Sequence, residues 1–272
     1  MQWEQLTAPD LAAAARETGV CVFAMGVVEQ HAKHLPLGTD YLVAHRIATL
    51  AAEKEKAVVF PPWYFGQIFE AQCFPGVVTT SVPLLLELLE GVFDEIARNG
   101  FRKIVLFNGH GGNRYLAPLV VQCTLARQNQ YSLYFLEKWV TPERKKEWDA
   151  ICETTEHGHA CECETSISLA CHPELVKMEA VPARPSKALR RLRNVPGNFS
   201  GITWYSHYPE HYAGDARPAT AEKGRRLLGL IVDTLAEFIA AVKADRVAPT
   251  LEKEFFERSR HLSGEHPHRR RR

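Results

Sequence analysis

A chain of 272 residues with 46% hydrophobic content can bury a sizeable core and is too apolar to read as disordered. Its 33 basic and 32 acidic residues nearly cancel, and the Arg269 to Arg272 run supplies four of the positive charges, so the basic face of a nucleic-acid binder is missing. Seven scattered cysteines form no disulfide framework, no apolar run approaches the ~18 residues of a membrane helix, and Met1 to Arg16 lacks the apolar region of a signal peptide; these features predict a cytoplasmic protein with no membrane partner.

Val20 to Val28 is apolar and in places β-branched, the pattern of a buried strand. Tyr41 to Lys54 is alanine-rich at helical spacing, with Thr39 or Asp40 placed to cap it. Ala57 to Phe60 reads as a short strand stopped by Pro61-Pro62, and Phe65 to Val78 as a loop punctuated by Gly66, Pro75 and Gly76. A helix is predicted from Ser81 to Asn99, with Leu84, Leu85, Leu88 and Val92 on one face. Lys103 to Phe107 is a second buried strand, Asn108 to Asn113 the turn after it, Tyr115 to Asn129 a helix and Tyr131 to Trp139 a further strand. A helix begins near Glu164 and ends by Pro173, the segment Val181 to Pro218 is an irregular excursion or lid, and Ala219 to Ala244 is a long helix. Strands alternating with helices predict an α/β fold with a mainly parallel sheet covered on both faces, whose ligands sit at the carboxyl ends of the strands. Residues 1–245 read as one domain and 246–272 as a C-terminal extension, charged and disordered from Ser263 onward.

Three clusters carry chemistry. Glu29 and His31 lie two residues apart just after the first strand, so on extended chain they share a side, and Asp40 follows a loop containing Pro36 and Gly38 that can fold it back toward them. Asn108-Gly109-His110-Gly111-Gly112-Asn113 places a histidine between glycines, which permit close approach of a ligand. Glu156-His157-Gly158-His159-Ala160-Cys161-Glu162-Cys163-Glu164 gathers carboxylates, histidines and two thiols. Cys161 and Cys163 have no matching cysteine pair elsewhere, so a closed structural zinc site lacks ligands, and the two read as small buried side chains. Together the clusters offer Glu29, His31, Asp40, His110, His159 and Glu162, about what two divalent ions bridged by one carboxylate and one water require.

At these residues the chain resembles the creatininase family, the creatinine amidohydrolases. The resemblance lies in Glu29-Gln30-His31 with His34-Leu35-Pro36-Leu37-Gly38-Thr39-Asp40, in the Asn108 to Asn113 turn, and in His159-Ala160-Cys161-Glu162-Cys163-Glu164-Thr165-Ser166. Phe74-Pro75-Gly76 and Ala219-Thr220-Ala221-Glu222-Lys223-Gly224 fit as well, so that it runs from about residue 3 to 240. It implies a three-layer α/β/α fold, two divalent metal ions (Zn, Mn or Fe), a small-molecule substrate and a homo-oligomer, often a hexamer. By carry-over, Glu29, Asp40 and His110 would hold one ion, His31, the shared Asp40 and Glu162 the other, and His159 would protonate the leaving group. Creatininase proper carries a glutamate in the loop matching Gly111-Gly112 and none at the position of Glu162, so the ligand is expected to have moved. Glu164 and His34 would stand behind the ligands, and Glu70 and Gly111 near the substrate.

The chain departs from the family in Gly66-Gln67-Ile68-Phe69-Glu70-Ala71, which keeps Gly66 and Glu70 of a Gly-x-Ser-x-Glu-His run and loses the Ser and His, and in Cys161, where glycine is usual. Both changes touch the pocket and argue against creatinine itself. Trp139, Trp204, Tyr205 and His207 are candidate pocket walls. The expected activity is hydrolysis of a C–N bond in a small cyclic or formyl amide by a metal-bridging hydroxide. The alternatives are hydrolysis of a C–C bond in a cyclic ketone such as an oxidised inositol, and a non-enzymatic module that uses the metal to hold a ligand.

Overall fold

The computed structural model describes residues 1–197 and 199–261. The charged end expected to be disordered lies outside the described residues. Strands β1 (Val20–Met25), β2 (Val58–Val59), β3 (Lys103–Asn108) and β4 (Ser132–Leu136) form a wholly parallel sheet in the order β2-β1-β3-β4. A separate antiparallel pair joins β5 (His157–His159) to β6 (Ala213–Gly214). The helices are α1 (Ala8–Thr18), α2 (Thr39–Lys54), α3 (Val82–Arg98), α4 (Leu116–Cys123), α5 (Pro142–Ile151), α6 (Glu162–Cys171), α7 (Thr203–His207), α8 (Ala221–Ala244) and α9 (Val247–Arg260).

The sheet divides the apolar residues by strand alternation. Val20, Val22 and Ala24 of β1 pack with α2, α5, α6 and α8, whereas Cys21, Phe23 and Met25 pack with α1, α3 and α4. Both faces are covered, which is the expected three-layer α/β/α architecture. On α3 the buried stripe is Leu85, Leu89, Phe93 and Ile96, while Leu84 and Leu88 are exposed, one position round from the predicted face. The helix is apolar on both sides of that boundary, so spacing alone did not fix its phase. Helices α1, α5 and α9 were not anticipated; α1 runs from the Thr7 cap, whose Oγ1 accepts from Asp10 N, to left-handed Gly19 at φ 63°.

Two close approaches set the layer holding the site. A Cβ at Gly224 of α8 would lie 1.7 Å from the Ser166 carbonyl oxygen of α6, so only glycine lets these helices meet. A Cβ at Gly109, just past β3, would lie 2.7 Å from the Asp40 carbonyl oxygen, and its absence lets the first turn of α2 sit over the strand ends. At the opposite edge, buried Lys103 donates to the carbonyls of Val242 (2.6 Å), Lys243 (3.0 Å) and Asp245 (2.5 Å), closing the C-terminus of α8 onto β3. Among the described residues no helix is long and apolar enough to cross a membrane.

Candidate metal centre

Because Met25 of β1 pairs with Asn108 of β3, the loops leaving both strands start at the same level. The first carries Glu29 and His31, the second His110, and the first turn of α2 brings Asp40 between them. All four side chains are buried. His110 Nδ1 lies 2.7 Å from Glu29 Oε1 and 2.9 Å from Asp40 Oδ2, while His31 Nε2 lies 3.0 Å from Asp40 Oδ1. Asp40 thus offers one oxygen to each imidazole. The far nitrogen of each ring faces a backbone carbonyl: His110 Nε2–H donates to Gln67 O at 2.9 Å, and His31 Nδ1–H to Glu29 O at 3.3 Å. Those bonds commit the outer nitrogens and turn the inner ones toward the carboxylates, where loss of the inner proton would leave the lone pair that a metal-ligating histidine requires.

The donor set fits cations. Glu29 Oε1 and Asp40 Oδ2 both face His110 Nδ1, and with that nitrogen unprotonated neither buried oxygen has a hydrogen-bond donor, a costly state that a metal ion would relieve. Ligand atoms of Glu29, Asp40 and His110 lie within 4.8 Å of one another, and so do those of His31, Asp40 and Glu164. Burial opposes charge on both imidazoles, yet the neighbouring carboxylates outweigh it, raising His31 to about 10 and His110 well above its usual value. Burial likewise works against the Glu29 carboxylate but is outweighed, chiefly by His110, so that its carboxyl is held well below the usual range. Burial raises the Glu164 carboxyl to about 8. Carboxylates this deep call for positive charge, which protons or divalent ions can supply.

The second carboxylate differs from expectation. Glu162 is fully buried but turned away: it accepts from Lys223 Nζ at 2.6 Å and from the backbone N–H groups of Glu153 (2.9 Å) and Thr154 (2.7 Å). Glu164 takes the place expected of it, beside His31 and Asp40, and its Oε2 accepts from Ala160 N. Both residues lie in the first turn of α6, and at ~100° per residue positions two apart face nearly opposite ways. The structure thus brings Glu164, and not the expected Glu162, to the side of His31 and Asp40.

The remaining candidates sort by contact. His159 is buried on β5, its Nε2–H donating to Gln30 O at 2.7 Å, and burial together with His31 holds its imidazole well below the usual value. His34 stands apart from the carboxylates; its Nε2 meets Thr165 Oγ1 at 2.9 Å and ties the first loop to α6. A cavity of about 690 Å³ opens over the cluster, with Glu29, Asp40, His110, His159 and Glu164 at its base. Glu70, whose carboxylate accepts from Gln67 Nε2 at 2.7 Å, and Gly111 line it, as do Trp204 and His207. Trp139 and Tyr205 do not: the Trp139 indole donates to Asn108 O at 2.7 Å, and the Tyr205 ring lies under the Arg191 guanidinium.

His211 escaped the sequence reading. Its Nε2–H donates to Glu29 Oε2 at 2.7 Å, and its Nδ1 accepts from the Trp204 indole N–H at 3.0 Å. The pair orients the outer oxygen of Glu29 from the irregular excursion. A histidine following Trp204 and Tyr208 in a loop was the available signal, but at φ 50° it belongs to no periodic pattern.

The creatininase family profile, described as creatinine amidohydrolase, matches residues 4–239. The chain belongs to the creatininase family. A 3-dehydro-scyllo-inosose hydrolase of Thermotoga maritima is 26% identical over 87% of the chain and 82% of its own length. A mycofactocin precursor peptide peptidase of Mycolicibacterium smegmatis is 29% identical over 82% and 85%. A Bacteroides fragilis crystal structure, provisionally described as a creatinine amidohydrolase, superposes with a TM-score of 0.76 at 25% identity, covering 91% of this chain and 98% of that one. Creatininase structures at 22% identity and TM-score 0.73, covering 90% of this chain and 98–99% of their own, include a Zn-Zn type and a Mn form. These creatininases share the α/β/α fold described above, and the named relatives in the family are hydrolases.

Proposed function

We propose that this member of the creatininase family is a two-metal hydrolase that cleaves a C–N bond in a small cyclic or formyl amide. The observation that carries the reading is the division of Asp40 between two imidazoles, each turned inward by a backbone carbonyl. Glu29, Asp40 and His110 would hold one ion, and His31, Asp40 and Glu164 the other; His and carboxylate donors suit zinc, manganese or iron. When bound, such ions supply an activated water at neutral pH and Lewis acidity toward a carbonyl oxygen.

The protein's own groups do the rest. Trp204 and His211 hold Glu29 in place, and Gln67 O and Glu29 O hold the two ligating rings. His159, with its Nε2–H committed to Gln30 O, keeps Nδ1 as the basic atom that can take a proton from the attacking water and return it to the departing nitrogen. Glu70, Trp204 and His207 shape the cavity that excludes water and selects substrate.

Elemental analysis of the purified chain, joined to a screen of cyclic and formyl amides before and after chelation, tests the reading. Chelation-sensitive amide turnover is expected, and Asp40→Ala should lose activity together with two metal equivalents relative to the parent. A second reading, C–C hydrolysis of a cyclic polyhydroxy ketone, is favoured by the hydrogen-bonding groups Gln67, Glu70 and Arg114 along the cavity. Turnover of such ketones but not amides would select it, and binding without turnover of either class would favour a non-enzymatic module. The exposed Leu84, Leu88 and Leu119 support self-association, as far as a hexamer, which sedimentation would measure.

A further inference from the structure

A second group of ligands lies outside this centre, where α5, β5 and α6 meet. Cys152 ends α5, His157 opens β5, Cys161 caps α6 and Cys163 sits in its first turn. The sequence paired Cys161 and Cys163 with nothing; the fold supplies the missing partners. Ligand atoms of Cys152, His157 and Cys163 lie within 4.8 Å of one another. The Cys163 sulfur is 3.4 Å from His157 Nδ1 and 3.4 Å from the Cys161 sulfur.

Both 3.4 Å distances lie close to what a tetrahedral thiolate site requires. With Zn–S near 2.3 Å and Zn–N near 2.0–2.1 Å, ligand atoms around one ion stand roughly 3.5–3.8 Å apart. Histidine has no part in a disulfide but is a regular companion of thiolates around zinc. Cys161 and Cys163 are buried, Cys152 is half-buried and His157 is exposed, so the group has a closed inner side and an open outer one through which an ion can enter.

We propose that Cys152, His157, Cys161 and Cys163 form a structural site for one soft divalent cation, zinc being the natural occupant, separate from the two-metal centre. Binding displaces the thiol protons and forms three metal–sulfur bonds and one metal–nitrogen bond, with no change of oxidation state. The consequence is positional. His157 precedes His159 by two residues on β5, and Cys163 precedes Glu164 on α6, so one ion would clamp together the strand and the helix that supply both groups to the cavity. The assignment does not rest on the hydrolase reading.

The test is cobalt titration of the full-length protein, stripped of metal and kept reduced. The two-metal centre contains no sulfur, so sulfur-to-cobalt charge-transfer absorption in the near ultraviolet reports this site alone. The band is expected to grow on cobalt addition to the strength of one thiolate-bound cobalt per chain, and zinc to abolish it. Cys163→Ser and Cys152→Ser should weaken both the band and cobalt binding, whereas Glu29→Gln with Asp40→Asn should keep them. His157→Asn, at an exposed position, is the second variant should a cysteine replacement not fold, and is expected to shift the band and weaken cobalt binding at least tenfold. No band in the reduced parent, a band of equal strength in the variants, or a disulfide among Cys152, Cys161 and Cys163 in protein purified without oxygen would each overturn the proposal.

Discussion

Replacing Glu162 and Glu164 in turn by glutamine separates two carboxylates that a sequence places almost side by side. Glu162 accepts from Lys223 Nζ at 2.6 Å and from two backbone N–H groups at 2.7 and 2.9 Å, all in a fully buried setting. Glutamine preserves its size, removes the charge and turns an N–H₂ toward one of those donors. Breaking a buried ion pair costs about 3–5 kcal/mol. Lys223 retains some solvent and a second partner in Glu153, so the expected loss falls to about 1–3 kcal/mol, with a drop in Tm of about 2–4 °C per kcal/mol. The two cations proposed for the Asp40 centre should remain bound. Glu164→Gln should behave in the opposite way. Burial already lifts that carboxyl to about 8, so an uncharged amide resembles its metal-free state at neutral pH and the Tm of the stripped protein should hardly move. Loss of groups that merely support ligands weakens metal binding by about 10–100-fold, so loss of the ligand itself should exceed about 100-fold and abolish turnover. Calorimetry of the stripped proteins and elemental analysis after dialysis read both effects. A Glu162→Gln protein with parental Tm that has lost a cation, or a Glu164→Gln protein that keeps both, would refute the assignment.

Lys103→Met should strand three carbonyls at the end of α8 and cost about 1–3 kcal/mol, measured by denaturant titration; an unchanged midpoint would show that water replaces the ammonium. Asp245 is held below the usual aspartate range, first by the Tyr134 hydroxyl and then by Val247 N–H, so its folded pKa lies under its unfolded one. Its contribution to docking α9 is therefore complete above the unfolded value and lost as pH falls through the folded one; hydrogen exchange should show α9 amides losing protection in acid, and a flat profile would contradict this. Trp204→Phe removes the indole N–H from His211 Nδ1 and should lower kcat up to about tenfold while metal content stays at the parent's value, as one hydrogen bond of about 0.5–1.5 kcal/mol allows; unchanged steady-state kinetics would remove Trp204 from the orientation of Glu29.

The strands and the loops after them were legible because a buried parallel strand is a short apolar run and its ligand-bearing end follows at once. That is why Glu29, His31, Asp40 and His110 were found together. The choice between Glu162 and Glu164 was not legible, because it depends on the rotational phase of a helix whose first turn is polar on both sides. The same lack of phase displaced the buried face of α3 by one residue. His211 and Cys152 were missed for another reason: His211 reaches Glu29 from far along the chain, and Cys152 meets its neighbours through the irregular turn between α5 and β5, geometry that no periodicity encodes. Composition bounded the class of protein, and pattern located the sheet; the pairing of side chains across loops came only with three dimensions.

The excursion between β5 and β6 contributes Trp204 and His207 to the cavity wall, and it also delivers His211 to the outer oxygen of Glu29. Under the proposed function, recognition and reactivity share one stretch of polypeptide. A lineage that reshapes this stretch to admit a new compound also tugs on the carboxylate beneath it, so chemical taste and cation grip must drift in step. Transplanting the loop from a relative would carry over both traits or neither.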